Sequence, residues 1–526
     1  MVRALLAFAL LSPVLWADRV VTTPRIAIQM RLGSPSRLEN RLTGEVLNLQ
    51  QVMDAPWVEL PKERIAQAEA DKGSDDAFAV KGKLSCRTQA TTGPDGDVVL
   101  TQQAQVAKPG LRGVGWGFAG VSSKDVQVVV PGGSGCAFGG NRGTPFRELT
   151  FSWPIGWEAG FVLLQMEKGG FIVWAKDPNW QYKRVRLRHA KGLFSLRFQS
   201  EAEAPFEKVS QLQSVPWHIA AYRGDWREGA KIYRSWLRAR LKPPMIAKRT
   251  PTWVGETNAL VISGMKHEII QELAKHVAPA RTVLYVPSWR RDGYDMNYPD
   301  YTPVPEFAPF VAEAHRLGFR VMAHVNYFGC DPKHPLYESF EPYQLRSPGS
   351  DKRQWWTWPR DLEPDEEPRI KFAYIHPGLK AWRQELVQRF TKLVEETGVD
   401  SLHLDQTLCL PNHNRGRVDG LSVPEGNLAL HRDLRAALPD VALSGEGLDE
   451  VTFLYEAFAQ RHAARAVNHV TKAWDDRFIR TTHPICSYLF APHTTINGYL
   501  GMSNPRSGGV WDAWVQAYEL WGSIPT

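Results

Sequence analysis

The chain has 526 residues, of which 43% are hydrophobic and 23% charged, and a net charge of +7. This length calls for two to three domains, and the composition is that of a soluble globular protein with ample core. Charges of both signs are interleaved and no Lys/Arg run is dense enough for a nucleic-acid groove, so no nucleic-acid partner is expected.

The first residues read as an export signal spanning 1–17. Arg3 carries the positive charge, Ala4 to Leu15 form an apolar run, and Ala17 is the small residue before cleavage. A bilayer span needs about 20 apolar residues, so this run is too short for one and no membrane insertion is expected. The expected location is therefore periplasmic or extracellular. Five scattered cysteines (Cys86, Cys136, Cys330, Cys409, Cys486) give neither a disulfide framework nor a metal-type pairing. The 20 Trp residues are a more pointed feature. Indoles fill β-sandwich cores, and they also serve sugar sites as flat platforms.

Residues 18–221 read as an antiparallel β-sandwich. Short apolar or alternating runs recur at Arg25–Leu32, Val98–Gln105, Val126–Val130, Leu149–Trp153, Phe161–Leu164, Phe171–Trp174, Val185–His189 and Leu193–Phe198. Turn clusters such as Thr92-Gly93-Pro94-Asp95-Gly96 separate them. Asn40 to Val46 reads as a hairpin turning on Thr43-Gly44. Within 222–250, a helix enters through Asp225 as N-cap and repeats Ala230, Tyr233 and Leu237 along one face. A linker from Lys242 to Pro251 follows.

From 251 to 526 strands alternate with helices, the signature of βαβ units. Strands are expected at Thr252–Val261, Arg281–Val286, Phe319–Val325, within Gly398–Thr407 and at Val441–Glu446, with a weaker one near Cys486–Phe490. Helices are expected at Lys266–His276, Pro305–Leu317, Leu379–Thr397, Asn427–Leu438, after Asp449, and at Val510–Leu520. The repetition, with polar and aromatic residues after each strand, favours a (β/α)8 TIM barrel over a doubly wound sheet. No Gly-rich turn follows the first strand, so a dinucleotide cofactor is not expected. About six units are counted, so the barrel is expected to be cut short at its C-terminus.

Two carboxylates end consecutive strands, Asp405 the fourth and Glu446 the fifth. Adjacent strands lie about 4.8 Å apart, so the two carboxyl groups can reach the roughly 5–5.5 Å separation of retaining glycosidases. Asp405 is then the nucleophile and Glu446 the general acid/base. Alternation by two puts His403 on the same side of its strand as Asp405. Asp449 and Glu450 are a second acid pair, read as charges at the start of the next helix. Asp400 lies at the opposite end of its strand.

The segments Tyr298-Pro299-Asp300-Tyr301, Gly318 to Met322, Gly398-Val399-Asp400 with Leu404-Asp405-Gln406, and Leu443 to Gly447 resemble a bacterial domain-of-unknown-function family, number 6259. That family is itself similar to the endo-α-N-acetylgalactosaminidases and, remotely, to the α-amylases and α-galactosidases. The resemblance implies a nucleophilic Asp after strand four and an acid/base Glu after strand five, which fall on Asp405 and Glu446. Amylases carry an Arg two residues before the nucleophile, where this chain has His403.

Trp289, Arg290 and Asp292 after the second strand, and His324, Asn326 and Tyr327 after the third, are the candidate substrate contacts together with His403. A sugar site wants an aromatic floor and fixed hydroxyl partners, and these residue types supply both. Trp355, Trp356 and Trp358 lie on an insertion and either form a platform or pin that loop. The expected function is a glycoside hydrolase, retaining, acting on an α-linked carbohydrate. The alternative is a non-catalytic carbohydrate-binding protein with a degenerate barrel. No His-x-His or His-Glu-x-x-His spacing appears, so neither metal nor cofactor is expected. A wider gap between the two carboxyl groups would indicate inversion instead, so the stereochemical outcome is left open together with the sugar, the linkage and the oligomeric state.

Overall fold

The period-two patterning of the first two hundred residues becomes three antiparallel sheets in the computed structural model. It describes residues 19–50, 55–67, 72–74, 76–144, 146–357, 370–407, 410–461, 476–498, 510–524 and 526. The signal segment 1–17, Trp358 and Cys409 lie outside the described residues. A four-stranded sheet spans 19–48 and contains the expected hairpin, with Gly44 at φ 79° in its turn. Beyond it a ten-stranded and a six-stranded sheet share one apolar core. Trp116 of the six-stranded sheet stacks on Phe198 at 4.8 Å and meets Trp217 of the ten-stranded sheet edge-on at 6.3 Å. Two sheets interdigitating in this way form a sandwich.

The strand Gly113–Ser122 was not visible as one, because glycines interrupt its alternation. The fold explains them: a Cβ on Gly115 would lie 2.1 Å from the Trp57 ring. Close packing of a neighbouring indole demands glycine there, at the expense of the period-two signal.

Helix α1 (Trp226–Leu241) follows the sandwich. The Asp225 side chain accepts from the Arg227 backbone N–H at 2.8 Å, as an N-cap should, and Ala230, Tyr233 and Leu237 are buried.

The second half is a seven-stranded parallel sheet: β1 (Ala259–Ile262), β2 (Thr282–Val286), β3 (Arg320–Asn326), β4 (Ser401–Asp405), β5 (Ala442–Gly445), β6 (Phe458–Arg461) and β7 (Thr495–Gly498). Every strand pairs with the next in chain order, and the order never reverses. A doubly wound sheet must reverse at a switch point, so this is barrel winding. Among the described residues there are seven strands, not the eight of a complete barrel, and none pairs β7 with β1. Helices α2 (His267–Leu273), α3 (Phe307–Leu317), α4 (Lys380–Thr397) and α5 (Val423–Ala437) fall close to their expected places.

Three expectations are corrected. Thr252–Glu256 is a 3-10 turn, and β1 starts only at Ala259. The residues after Asp449 form turns rather than a helix. The apolar run near Cys486–Phe490 is helix α6 (Ile485–Phe490), not a strand. Ile485, Cys486, Leu489 and Phe490 are buried with the one- and four-residue spacing of a helix face, which so short a run does not separate from a strand. The true sixth strand, Phe-Ala-Gln-Arg, is fully buried despite two polar residues. Its Arg461 donates to Ser487 Oγ at 2.8 Å and to the Trp521 carbonyl at 2.5 Å.

Between β3 and α4 an insertion forms a small sheet of Gly329–Cys330, Trp355–Thr357 and Ile370–Tyr374. No helix among the described residues is long and apolar enough to cross a membrane.

Candidate active site

Parallel strands deliver their last side chains to one end of the sheet. In register, His324 of β3 lies opposite His403 of β4, and Asn326 opposite Asp405. Asp405 ends β4, and Glu446 follows β5 immediately; each is 7% exposed. One residue bridges the two acids. The Gln406 backbone N–H donates to Glu446 Oε2 at 3.0 Å, while its side chain hydrogen-bonds Asp405. Gln406 sits at φ 69°, a turn that lets its backbone and side chain serve different carboxylates.

Asn326 fixes the nucleophile candidate from the other side. Its Nδ2 donates to Asp405 Oδ2 at 3.2 Å, and its own Oδ1 is held by the Phe328 and Gly329 N–H groups at 3.1 and 2.7 Å. The Asp405 carboxyl is pushed well above the usual carboxylate range, first by burial, then by the Glu446 and Asp295 charges. The bonds from Asn326 and Gln406 oppose that shift without cancelling it.

Both histidines line the same end. His324 Nδ1 meets the Tyr285 hydroxyl at 2.7 Å, and His403 Nδ1 meets Ser444 Oγ at 3.0 Å. Burial pushes the His403 imidazole down to about 4 and the His324 imidazole well below its usual value, so both are neutral at pH 7. Ligand atoms of His324, His403 and Asp405 all lie within 4.8 Å of one another. This set was invisible as a sequence motif because His324 comes from β3, far in the chain from the His403 and Asp405 of β4.

Four further candidates have partners in the surrounding loops and strands. Trp289 is wholly buried, donates to the His324 carbonyl at 2.8 Å, and stacks on Phe307 at 5.2 Å. Arg290 donates to the carbonyls of Asp300, Gly293 and Met296 at 2.7, 3.1 and 3.0 Å and lies over the Tyr298 ring, which fixes the 293–300 loop. Asp292 accepts from Asn297 Nδ2 at 3.1 Å within that loop. Tyr327 is wholly buried, bonds Asn427 and stacks on Phe328. Trp289, Arg290 and Tyr327 are buried by these contacts, while Asp292 stays partly exposed.

Sequence reasoning missed the loop and insertion residues at the mouth. Tyr294 is 42% exposed, and its ring lies 4.8 Å from that of His324. Asp295, buried at φ 58°, accepts from Trp356 Nε1 at 2.9 Å. Tyr374 donates its hydroxyl to Gln406 Oε1 at 3.0 Å. The insertion sheet therefore reaches the two acids through Trp356 and Tyr374. No periodicity marks Asp295 or Gln406; for Asp295, an Asp tolerating positive φ in a strand-end loop was the available signal.

Asp449 and Glu450 are both buried. The Asp449 side chain accepts from the Val451 and Thr452 N–H groups at 2.7 and 2.9 Å. Glu450 points into the sandwich. Asp400 bonds Arg320, His315 and the Val321 N–H at the far end of β4, as its position implied.

The fold is thus a β-sandwich, a connecting helix, and a sequentially wound parallel sheet with acids at consecutive strand ends. Residues 213–467 match the family model described as a domain of unknown function, DUF6259, as the sequence resemblance implied. The fold is shared with the ligand-free α-N-acetylgalactosaminidase NagBb from Bifidobacterium bifidum. The TM-score is 0.71 over 96% of this chain and 89% of that one, at 14% identity. The α-galactosidase TtGalA from Thermus thermophilus, in complex with stachyose, gives a TM-score of 0.50 over 84% of this chain and 92% of that one, at 12% identity. In sequence, the chain is 28% identical over 170 residues to the "Probable alpha-glucosidase" of Rhizobium meliloti (strain 1021). That match covers 30% of this chain and 27% of the relative, so the chain spans about a quarter of the relative's length.

Proposed function

We propose that this chain is a retaining glycoside hydrolase that cleaves an α-linked glycoside, and that 251–526 is a member of the (β/α)8 class. The observation that carries the reading is the Asp405–Gln406–Glu446 arrangement: two buried carboxyl groups at consecutive strand ends, electrostatically coupled and bonded to one intervening residue. Names of the structural relatives support an α-galactosidic or α-N-acetylgalactosaminidic substrate as the first class to try.

In the first step the Asp405 carboxylate attacks the anomeric carbon, and the glycosidic C–O bond breaks as Glu446 gives its proton to the leaving oxygen. In the second, Glu446 takes a proton from water, whose oxygen displaces Asp405 and restores the anomeric configuration. A carboxyl raised by burial gains nucleophilicity when ionised, and the charge of each acid raises the other's proton affinity, so one proton is shared between two roles. Asn326 and Gln406 hold Asp405 in a fixed direction, which lowers the reorganisation needed at attack.

Export through residues 1–17 belongs to the same proposal and fits an extracellular or periplasmic glycan. A panel of aryl α-glycosides tests the activity, with NMR detection of the first-formed anomer. Turnover with retention supports the proposal; release of the inverted anomer, or no turnover on any α-glycoside, overturns it.

A further inference from the structure

We propose that His324, His403 and Asp405 form a binding site for one divalent transition-metal ion of the zinc type, and that the bound ion blocks the nucleophile. The second half of this inference rests on the proposed glycosidase reading. The first half rests on geometry alone.

The donor set is two imidazoles and one carboxylate, with ligand atoms mutually within 4.8 Å and all three residues buried. One ion at ordinary N and O bond lengths of about 2.0–2.2 Å fits such a set. Each imidazole is already tethered through Nδ1 to a hydroxyl, Tyr285 for His324 and Ser444 for His403. Tethering the distal nitrogen to an oxygen partner is how proteins orient imidazole ligands, since it leaves Nε2 as the donor. His324 Nε2 is buried without a hydrogen-bond partner, although its residue is only 2% exposed. An orphaned ring nitrogen beside a carboxylate calls for a ligand.

Chemistry of the donors selects the ion. Two nitrogens and one oxygen suit zinc, copper or nickel, whereas calcium and magnesium require mostly oxygen. The Asp295 charge adds attraction, since it acts on Asp405 from the same pocket. Arg290, the cation facing His324, is committed to the carbonyls of Gly293, Met296 and Asp300. An ion seated here takes an Asp405 oxygen lone pair, so that oxygen is no longer free to attack an anomeric carbon.

The test uses the full chain dialysed against a chelator and titrated with zinc chloride by calorimetry, with cobalt absorption as a second probe. One ion per chain is expected, with d–d bands of a nitrogen/oxygen site. His324→Ala and His403→Ala abolish uptake, while Ser444→Ala, which keeps all three ligands, weakens it by about 10–100-fold. Circular dichroism checks that each variant is folded. No uptake by the wild-type chain, or uptake unchanged in all three variants, overturns the site. Zinc raising KM for an aryl α-glycoside with kcat unchanged supports the block, and zinc lowering kcat alone overturns it. Metal uptake by a chain that turns over no glycoside supports the site and counts against the glycosidase reading instead.

Discussion

Glu450, four residues beyond Glu446, accepts a 2.6 Å hydrogen bond from the indole Nε1 of Trp153, on the sandwich strand Glu148–Trp153. The Tyr233 hydroxyl of α1 binds its other oxygen, and its backbone N–H donates to the Glu158 carbonyl at 2.9 Å. Val451 completes the anchor by packing in the sandwich core. The sandwich thus holds the loop that carries Glu446, the proposed acid/base, which gives the N-terminal half a part in the candidate site.

Trp153→Phe keeps the ring and removes the donor. A buried hydrogen bond to a carboxyl lost in this way costs about 1–3 kcal/mol. The expected result is a lower Tm together with a fall in kcat larger than any change in KM on an aryl α-glycoside. Unchanged kcat in a folded variant would show that the anchor does not position Glu446.

The two acids differ in how their loss depends on the leaving group. Glu446→Gln is expected to lower kcat/KM by about 10²–10⁴-fold on poor leaving groups, the usual weight of general acid catalysis. Activated aryl glycosides, which need little protonation, suffer less. Asp405→Asn abolishes turnover of both kinds. Comparing the two substrates in each variant separates the roles, and equal losses across substrates in Glu446→Gln refute the acid assignment.

For pH dependence, Asp405 must be ionised to attack, and burial with the Glu446 charge raises its proton affinity. The acid limb of kcat/KM is therefore expected well above the ordinary carboxylate range near 3.9, with the observed value belonging to the pair. Asn326→Ala removes a bond that favours the ionised form and moves this limb further up. A limb at the ordinary value, measured between pH 4 and 8, would contradict the buried coupling.

Three buried carboxyls should each cost stability as pH rises. Glu158, Asp449 and Glu450 are pushed up to about 7, in each case mainly by burial. Groups raised above their unfolded values contribute stability that is complete below about pH 4 and is lost as pH rises through 7. At about 1.4 kcal/mol per unit, each carries an upper limit of roughly 4 kcal/mol. The buried neutral histidines act in the opposite direction, losing stability as pH falls, so the carboxyl contribution is read as a difference between variants: raising the pH from 5.5 to 8 should lower the Tm of the wild-type chain relative to that of Glu158→Gln. A gap between the two Tm values that does not change with pH would contradict the raised Glu158 carboxyl.

Local signals were legible wherever one residue type answers one local demand. Asp225 as N-cap, the turn at Gly44, the even spacing of sandwich strands and the four long barrel helices all follow from backbone chemistry and periodicity within a short window. Asp405 and Glu446 were legible as strand-end acids because a parallel sheet forces strand ends to one side. Trp289, Arg290 and Tyr327 stood at equivalent sequence positions, but their packing on Phe307, Tyr298 and Phe328 was not legible there.

By itself, then, the sequence determined the order of the two halves, the barrel winding and the pair of acids, since each is set by local periodicity. Only the tertiary structure decided what surrounds that pair. Gln406 between the acids, Asp295 and Tyr374 reaching in from a loop and an insertion, and the joining of His324 to His403 depend on strands brought together across long stretches of chain. Such contacts are chosen by packing, which no window of neighbouring residues encodes.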